Sequence, residues 1–277
     1  MRIGLSNLLW TPDQDDRVAA LLGSRGIDRI DVAPTRYFAA DSTPSLATIH
    51  SIRDRWRAGG IRIVGLQSLL HGTQGLALFG DAGSRAAQRA HLERALAIAA
   101  GLGATRLVYG SWQNRQRGAL GLAQAIDSAA DFFRPLAKIA EDTGLQLGVE
   151  PIFAGYGNDF LIDHDEAALL VGAVDSPGFG LVLDIGCAGL AGEDLDAVIA
   201  RHHPTIGHVQ IAERDLALLA SDNPWHETAG KALAGLPASA AHPDRVACIE
   251  ALTPAGADPL EAVRACLDVA RRCYGLR

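Results

Sequence analysis

The chain is short of cysteine, of positive charge and of long apolar runs, and each shortage closes a class of protein. Its four cysteines, Cys187, Cys248, Cys266 and Cys273, form no Cys-x-x-Cys pair and no metal-type Cys/His spacing. A chain of 277 residues buries roughly 75% of its unfolded surface, so it needs neither a disulfide nor a structural metal to fold. Lysine and arginine number 25 against 32 aspartates and glutamates, for a formal net charge of -7. Nothing resembles the basic face that a phosphate backbone demands, so no nucleic-acid partner is expected. No segment reaches the roughly 18 apolar residues needed to span a bilayer, so no membrane partner is expected either. The opening MRIGLSNLLW lacks the long apolar stretch and cleavage site of a secretory leader. The 30 glycines and 12 prolines follow no Gly-x-y period. The expectation is a soluble, reduced, cytoplasmic protein with free thiols.

What is present is ordinary globular usage, 48% hydrophobic and 21% charged. Short β-branched or apolar runs alternate with Ala/Leu-rich stretches from end to end. The candidate strands are Arg2 to Ser6, Ile27 to Val32, Ile61 to Leu66, Thr105 to Tyr109, Gln146 to Glu150, Gly180 to Asp184, Ile206 to Ile211 and Val246 to Glu250. Their continuous apolar character suits strands buried on both faces, as in a parallel sheet. Helical periodicity predicts helices over Asp81 to Leu102, Leu120 to Thr143 and Pro259 to Tyr274. Gly144 stands as a C′ residue and Asp258 as an N-cap. Shorter helices are expected after strands two, five, six and seven.

Eight β-then-α units at about 35 residues each match an α/β fold of the (β/α)8 TIM-barrel type. A doubly wound open sheet is the competing architecture, but no Gly-x-Gly-x-x-Gly or Gly-x-x-x-x-Gly-Lys follows the first strand. No Pro/Gly/Ser linker divides the chain, so residues 1–277 read as one domain.

In such a barrel catalytic groups gather at the C-terminal ends of strands. Strand five ends at Glu150 in GVEP, strand six at Asp184 in LVLDIG and strand eight at Glu250 in CIEA, while strand seven carries Gln210 in GHVQIAE. Any one of these is explained as a hydrogen-bonded strand end. Four on successive strands are harder to explain so, because three converging carboxylates repel and resist desolvation. A divalent cation is the simplest remedy, and an oxygen-rich set suits Mn²⁺ or Mg²⁺. The free cysteines are read as bystanders.

With those motifs in order, the sequence resembles the xylose isomerase-like TIM barrels of the sugar phosphate isomerase/epimerase group, over nearly its whole length. The resemblance implies that Glu150, Asp184, Gln210 and Glu250 bind one divalent metal, Mn²⁺ first, with Mg²⁺ or Co²⁺ as substitutes. It implies that Glu150 and Glu250 act as the acid/base pair that moves a proton beside a carbonyl, in a carbohydrate or keto-acid substrate. A homo-oligomer is common in the group. The pattern departs at three places. Gln210 stands where most such epimerases place a second His, which resembles the hydroxypyruvate isomerase branch. Cys187 stands where many place a substrate-contacting His. Tyr156 and Asn158 stand in the loop where related epimerases place a further Glu. Trp225-His226-Glu227 loosely echoes a His-Glu segment of the hydroxypyruvate isomerases.

The remaining substrate-binding candidates are Gln67, Arg115, His208, Glu213 and His226. Arg115 follows strand four and is read either as an anion-binding cation on the rim or as a surface salt bridge. Arg36 has a similar claim. His208 shares the facing of Gln210 and reads equally as a core histidine. Asn7 suits a ligand contact or a turn, Trp10 and Trp112 a sugar-facing wall or core filling, and His71 a solvated loop. His202-His203 reads as a solvated turn at the opposite end of the barrel. Without a Gly-x-Ser-x-Gly elbow, a Ser-His-Asp hydrolase is not expected. The negative charge and the single ligand set argue against an abasic-site endonuclease of the same fold. A metal-dependent dehydratase of this fold, and a sugar-binding protein that has lost catalysis, stay open as alternatives.

Overall fold

The computed structural model describes residues 1–239, 242 and 245–275. Eight parallel strands close on one another in sequence order, with the last pairing back to the first. They are β1 (Arg2–Ser6), β2 (Arg29–Val32), β3 (Arg62–Leu66), β4 (Arg106–Tyr109), β5 (Gln146–Val149), β6 (Phe179–Asp184), β7 (Ile206–Ala212) and β8 (Val246–Glu250). The helices are α1 (Asp15–Ser24), α2 (Leu46–Ala58), α3 (Ala82–Leu102), α4 (Leu122–Asp142), α5 (His164–Val174), α6 (Ile185–Ala191), α7 (Leu195–His202), α8 (Trp225–Ala234) and α9 (Pro259–Tyr274). This is a (β/α)8 TIM barrel, and the open doubly wound sheet is excluded by the β1–β8 pairing. Nearly every strand residue is buried, as strands covered by helices outside and packed side chains inside must be.

The predicted helix ends hold where a cap was named. Asp258 accepts from the Leu260 N–H at 3.0 Å, and Gly144 takes the left-handed conformation with φ 69°. The strand starts differ from expectation, for a reason that recurs. Ile27, Ile61 and Leu145 each follow a glycine with positive φ, and their N–H groups bond back to Leu22, Trp56 and Ala140. This is the 6→1 bond of a Schellman motif. Ile27 and Ile61, counted as strand from their apolar character, therefore close the preceding helix. The pairing of β2 and β3 begins two and one residues later, at Arg29 and Arg62.

The helices after β2, β5, β6 and β7 are short, as expected, at 13, 11, 7 plus 8, and 10 residues, against 21 for α3 and α4. At the N-terminal end of the barrel His202 Nε2 lies 2.6 Å from Asp165 Oδ1, a hydrogen bond away from the strand C-termini. No described helix is long and apolar enough to cross a membrane.

Candidate active site

The polar strand ends converge. β6 and β7 are registered with Asp184 opposite Gln210, and β7 and β8 with Ala212 opposite Glu250. Glu150 follows β5 directly. Glu150, Asp184, Gln210 and Glu250 are 7%, 3%, 0% and 7% exposed, and all four line one cavity of about 710 Å³ at the C-terminal mouth of the barrel. Glu150 needs room that only glycine leaves. A Cβ at Gly110, just past β4, would lie 2.0 Å from Glu150 Oε2.

Burial dominates the electrostatics. It pushes the Glu150 carboxyl well above the usual carboxylate range, reinforced by the charges of Asp184 and Glu250 and opposed by Arg115. Glu250 is pushed up to about 8 by burial and then by the charges of Asp184 and Asp31. Gln210 Nε2 donates to Glu250 Oε2 at 2.7 Å, with Gln67 Oε1 at 3.5 Å. Gln210 Oε1 is buried and accepts no hydrogen bond.

These observations fit a cation. Three buried carboxylates need positive charge to ionise together, and Gln210, whose amide oxygen is orphaned, lines the same cavity. Glu150, Asp184, Glu250 and the Gln210 amide oxygen are the residues able to hold it. Cys187, read as a bystander, stands beside them. It lines the cavity, and ligand atoms of Glu150, Asp184 and Cys187 lie within 4.8 Å of one another. Its spacing as the third residue after a strand-end Asp is what brings Cys187 to the site. Its N–H donates to Asp184 Oδ1 at 2.8 Å, starting α6.

Of the five expected substrate contacts, Gln67 and Glu213 line the cavity, whereas Arg115, His208 and His226 do not. Each lies behind the wall for a different reason. Arg115 is fully buried, neither on the rim nor in a surface salt bridge. Its guanidinium sits 5.9 Å from the Tyr109 ring centroid, with Nε and Nη2 lacking hydrogen-bond partners. His208 faces inward like Gln210 but lies two residues, and so one layer, deeper in the barrel. There its Nε2 shares a 2.7 Å hydrogen bond with Asp31 Oδ2, beside Cys248. His226 is fully buried between Tyr274 Oη at 2.6 Å and Glu213 Oε1 at 2.9 Å. It anchors Glu213, which also accepts from Asn223 Nδ2 and the Ala220 N–H.

Asp31 was missed. Its signal was present as an acidic residue inside the apolar run IDRIDV with a glycine across from it, since a Cβ at Gly65 would lie 2.3 Å from Asp31 Oδ1. Trp112, Tyr156 and His71 line the cavity. Tyr156, in the loop where a Glu was absent, accepts the Asp215 N–H at 3.0 Å. Trp10 is core, 6.0 Å from Trp56 between ring centroids. Asn7 is buried and accepts from Ala33 N, a structural role. Arg36 lines a neighbouring cleft and donates to the Leu8 carbonyl. Ser68, Asp215 and Leu216 take positive φ at the cavity edge, the left-handed strain that gathers at functional sites.

A model of the xylose isomerase-like TIM barrel family matches residues 17–242. Similar solved structures include a D-psicose 3-epimerase determined in the presence of D-fructose, 20% identical with TM-score 0.78, over 99% of this chain and 100% of that one. A 3-keto-D-glucoside 4-epimerase from E. coli is 17% identical with TM-score 0.77, over 99% and 100%. The IolI protein with a bound zinc atom is 14% identical with TM-score 0.73, over 99% and 98%. At these identities the likeness is one of fold. No curated protein matches the chain by sequence.

Proposed function

The chain belongs to the xylose isomerase-like TIM barrel family, and from that premise we propose that it is a divalent-metal-dependent isomerase or epimerase of a small sugar, sugar phosphate or hydroxy-keto acid. One observation carries the reading. Three buried carboxylates and a glutamine whose amide oxygen is orphaned line one cavity large enough for such a substrate. The neighbours of like fold include epimerases of D-psicose, of L-ribulose and of a 3-keto-D-glucoside, which supports the same class.

The residues divide the work. Glu150 and Glu250 belong to different β/α units, and burial pushes both carboxyls upward, toward the protonated form. One removes the proton from the carbon beside the carbonyl and the other returns it. Asp184 and Gln210 complete the ligand set. The bound cation supplies a charge sink for oxygen and a template for the hydroxy-carbonyl pair. Oxygen donors alone suit Mn²⁺, Mg²⁺ or Co²⁺. Gln67 and Glu213 offer hydrogen bonds to substrate hydroxyls, and Trp112 offers an apolar face.

The test is a panel of ketoses and 2-keto acids incubated with the metal-loaded protein in deuterated water. The expected result is a converted substrate carrying deuterium at the carbon beside the carbonyl. Conversion without solvent deuterium points to hydride transfer, and a product lighter by one water points to a dehydratase. Glu150→Gln and Glu250→Gln are each expected to abolish turnover.

A further inference from the structure

The cysteine at the cavity is the feature that the oxygen-donor reading leaves unused. We propose that Cys187 is itself a metal ligand, so that the site takes a thiophilic ion, Zn²⁺ or Co²⁺, through Glu150, Asp184 and the Cys187 sulfur. The inference rests on the metal-dependent reading above and changes which ion that reading calls for.

Geometry is the first support. One ligand atom from each of Glu150, Asp184 and Cys187 lies within 4.8 Å of the others. A tetrahedral ion with bonds of about 2.0–2.3 Å holds its donors roughly 3.5 Å apart, so small side-chain rotations close the set. Asp184 and Cys187 are already locked together, because Asp184 Oδ1 caps the Cys187 N–H at 2.8 Å. Cys187 lines the cavity and is 8% exposed as a residue, on the side from which an ion would enter.

The second support is independent of the cysteine. Gln210 is 0% exposed, lines the same cavity, and its Oε1 is buried without a partner. Its Nε2 is committed to Glu250 at 2.7 Å. The orphaned oxygen is the acceptor a cation would satisfy. A neutral amide is a weak donor beside a thiolate, so Cys187 brings the charge and softness that Gln210 lacks.

The deeper cluster of Asp31, His208 and Cys248 makes the contrast. Its donors are also within 4.8 Å of one another. Yet Asp31 and His208 already bond each other at 2.7 Å, and none of the three lines the cavity. Among the described residues of the two clusters, Cys187 is the cysteine that combines proximity with access.

The step balances simply. The S–H bond of Cys187 breaks, its proton leaves to solvent, and the sulfur lone pair forms the metal bond with no change of oxidation state. Thiolate ligation favours Zn²⁺ and Co²⁺ over Mg²⁺ and Mn²⁺.

The experiment is titration of chelator-treated protein with Co²⁺ under anaerobic conditions, followed by absorption. Visible d–d bands report Co²⁺ in a protein site, and a near-ultraviolet sulfur-to-cobalt charge-transfer band reports the Cys187 bond. Both bands are expected in the wild type. In Cys187→Ser the charge-transfer band should vanish while d–d bands persist, with Co²⁺ affinity lower by at least the roughly tenfold that even an outer partner commands. Cadmium NMR of the wild-type protein reads sulfur ligation without any variant. A sulfur-shifted resonance supports the proposal, and an oxygen-only resonance overturns it. Visible bands without charge transfer, or a charge-transfer band unchanged in Cys187→Ser, would overturn the Cys187 assignment while leaving the metal reading standing. No bound Co²⁺ at all would overturn both.

Discussion

Glu150 shows how the position of one side chain can depend on a glycine of a neighbouring strand end. The space that a Cβ at Gly110 would need is filled by Glu150 Oε2. That atom is the free end of a flexible side chain, so Gly110→Ala should displace the carboxylate and leave the barrel intact. The expected outcome is a melting temperature within a few degrees of wild type and turnover lowered by about a hundredfold or more, the scale of a misplaced catalytic group. A large drop in melting temperature would assign Gly110 to packing instead. The buried repulsion at the same site has its own signature. Burial and the neighbouring charges of Asp184 and Asp31 disfavour the ionised form of Glu250, so Glu250→Gln should remove activity and leave the metal-free protein at least as stable as wild type at pH 8. Thermal melts of chelator-treated protein measure this directly. A clear loss of stability would mean that Glu250 is held by contacts the amide cannot make.

At the scale of elements, the segment between β7 and α8 is where side chains from distant parts of the chain are tied together. Glu213 ends β7's run, His226 opens α8, and Tyr274 closes α9, joined by hydrogen bonds of 2.9 and 2.6 Å. His226→Ala leaves Glu213 and the Tyr274 hydroxyl without their buried partner, at about 1–3 kcal/mol. Because Glu213 is on the cavity wall and His226 is not, the kinetic effect should fall on KM more than on kcat. An unchanged KM would remove Glu213 from substrate binding. The same scale shows why parts of the site were hidden in the sequence. The carboxylates at 150, 184 and 250 were legible because each interrupts an apolar run at a strand end. His226 was placed on the substrate from the loose echo of a His-Glu segment, while its partner Tyr274 stands 48 residues away, beyond any local pattern. Arg115 sits in a loop, where no periodicity says whether a side chain turns outward or back under the barrel. It turns back, over Tyr109. The starts of strands two and three were misplaced because the helix-closing Ile27 and Ile61 carry the same apolar character as the strands they precede.

For the whole molecule, the closed β1–β8 pairing turns eight separate strand ends into a single mouth, which is why order along the sequence sufficed to assemble the site. At the opposite end lies a histidine whose titration is displaced toward acid. His242 is pulled down to about 4 by burial and by the charges of Arg106 and Arg245. Its folded-state value lies below the ordinary histidine value near 6.5, so the unfolded chain binds this proton more readily. Its contribution to stability is present above about pH 6.5 and is lost as pH falls toward 4. His242→Gln should flatten the fall in melting temperature between pH 6.5 and 4 relative to wild type. Parallel curves for the two proteins would contradict the assignment.

The central claim, that the mouth of the barrel is a cation site built for proton transfer, is tested most directly by metal content. Purified protein supplied with divalent ions, then freed of excess, should retain close to one ion per chain by elemental analysis. Asp184→Asn keeps an oxygen to cap the Cys187 N–H but removes a ligand charge, and it should retain far less. A wild-type protein that holds no ion under these conditions, or an Asp184→Asn variant that holds it equally well, would contradict the account.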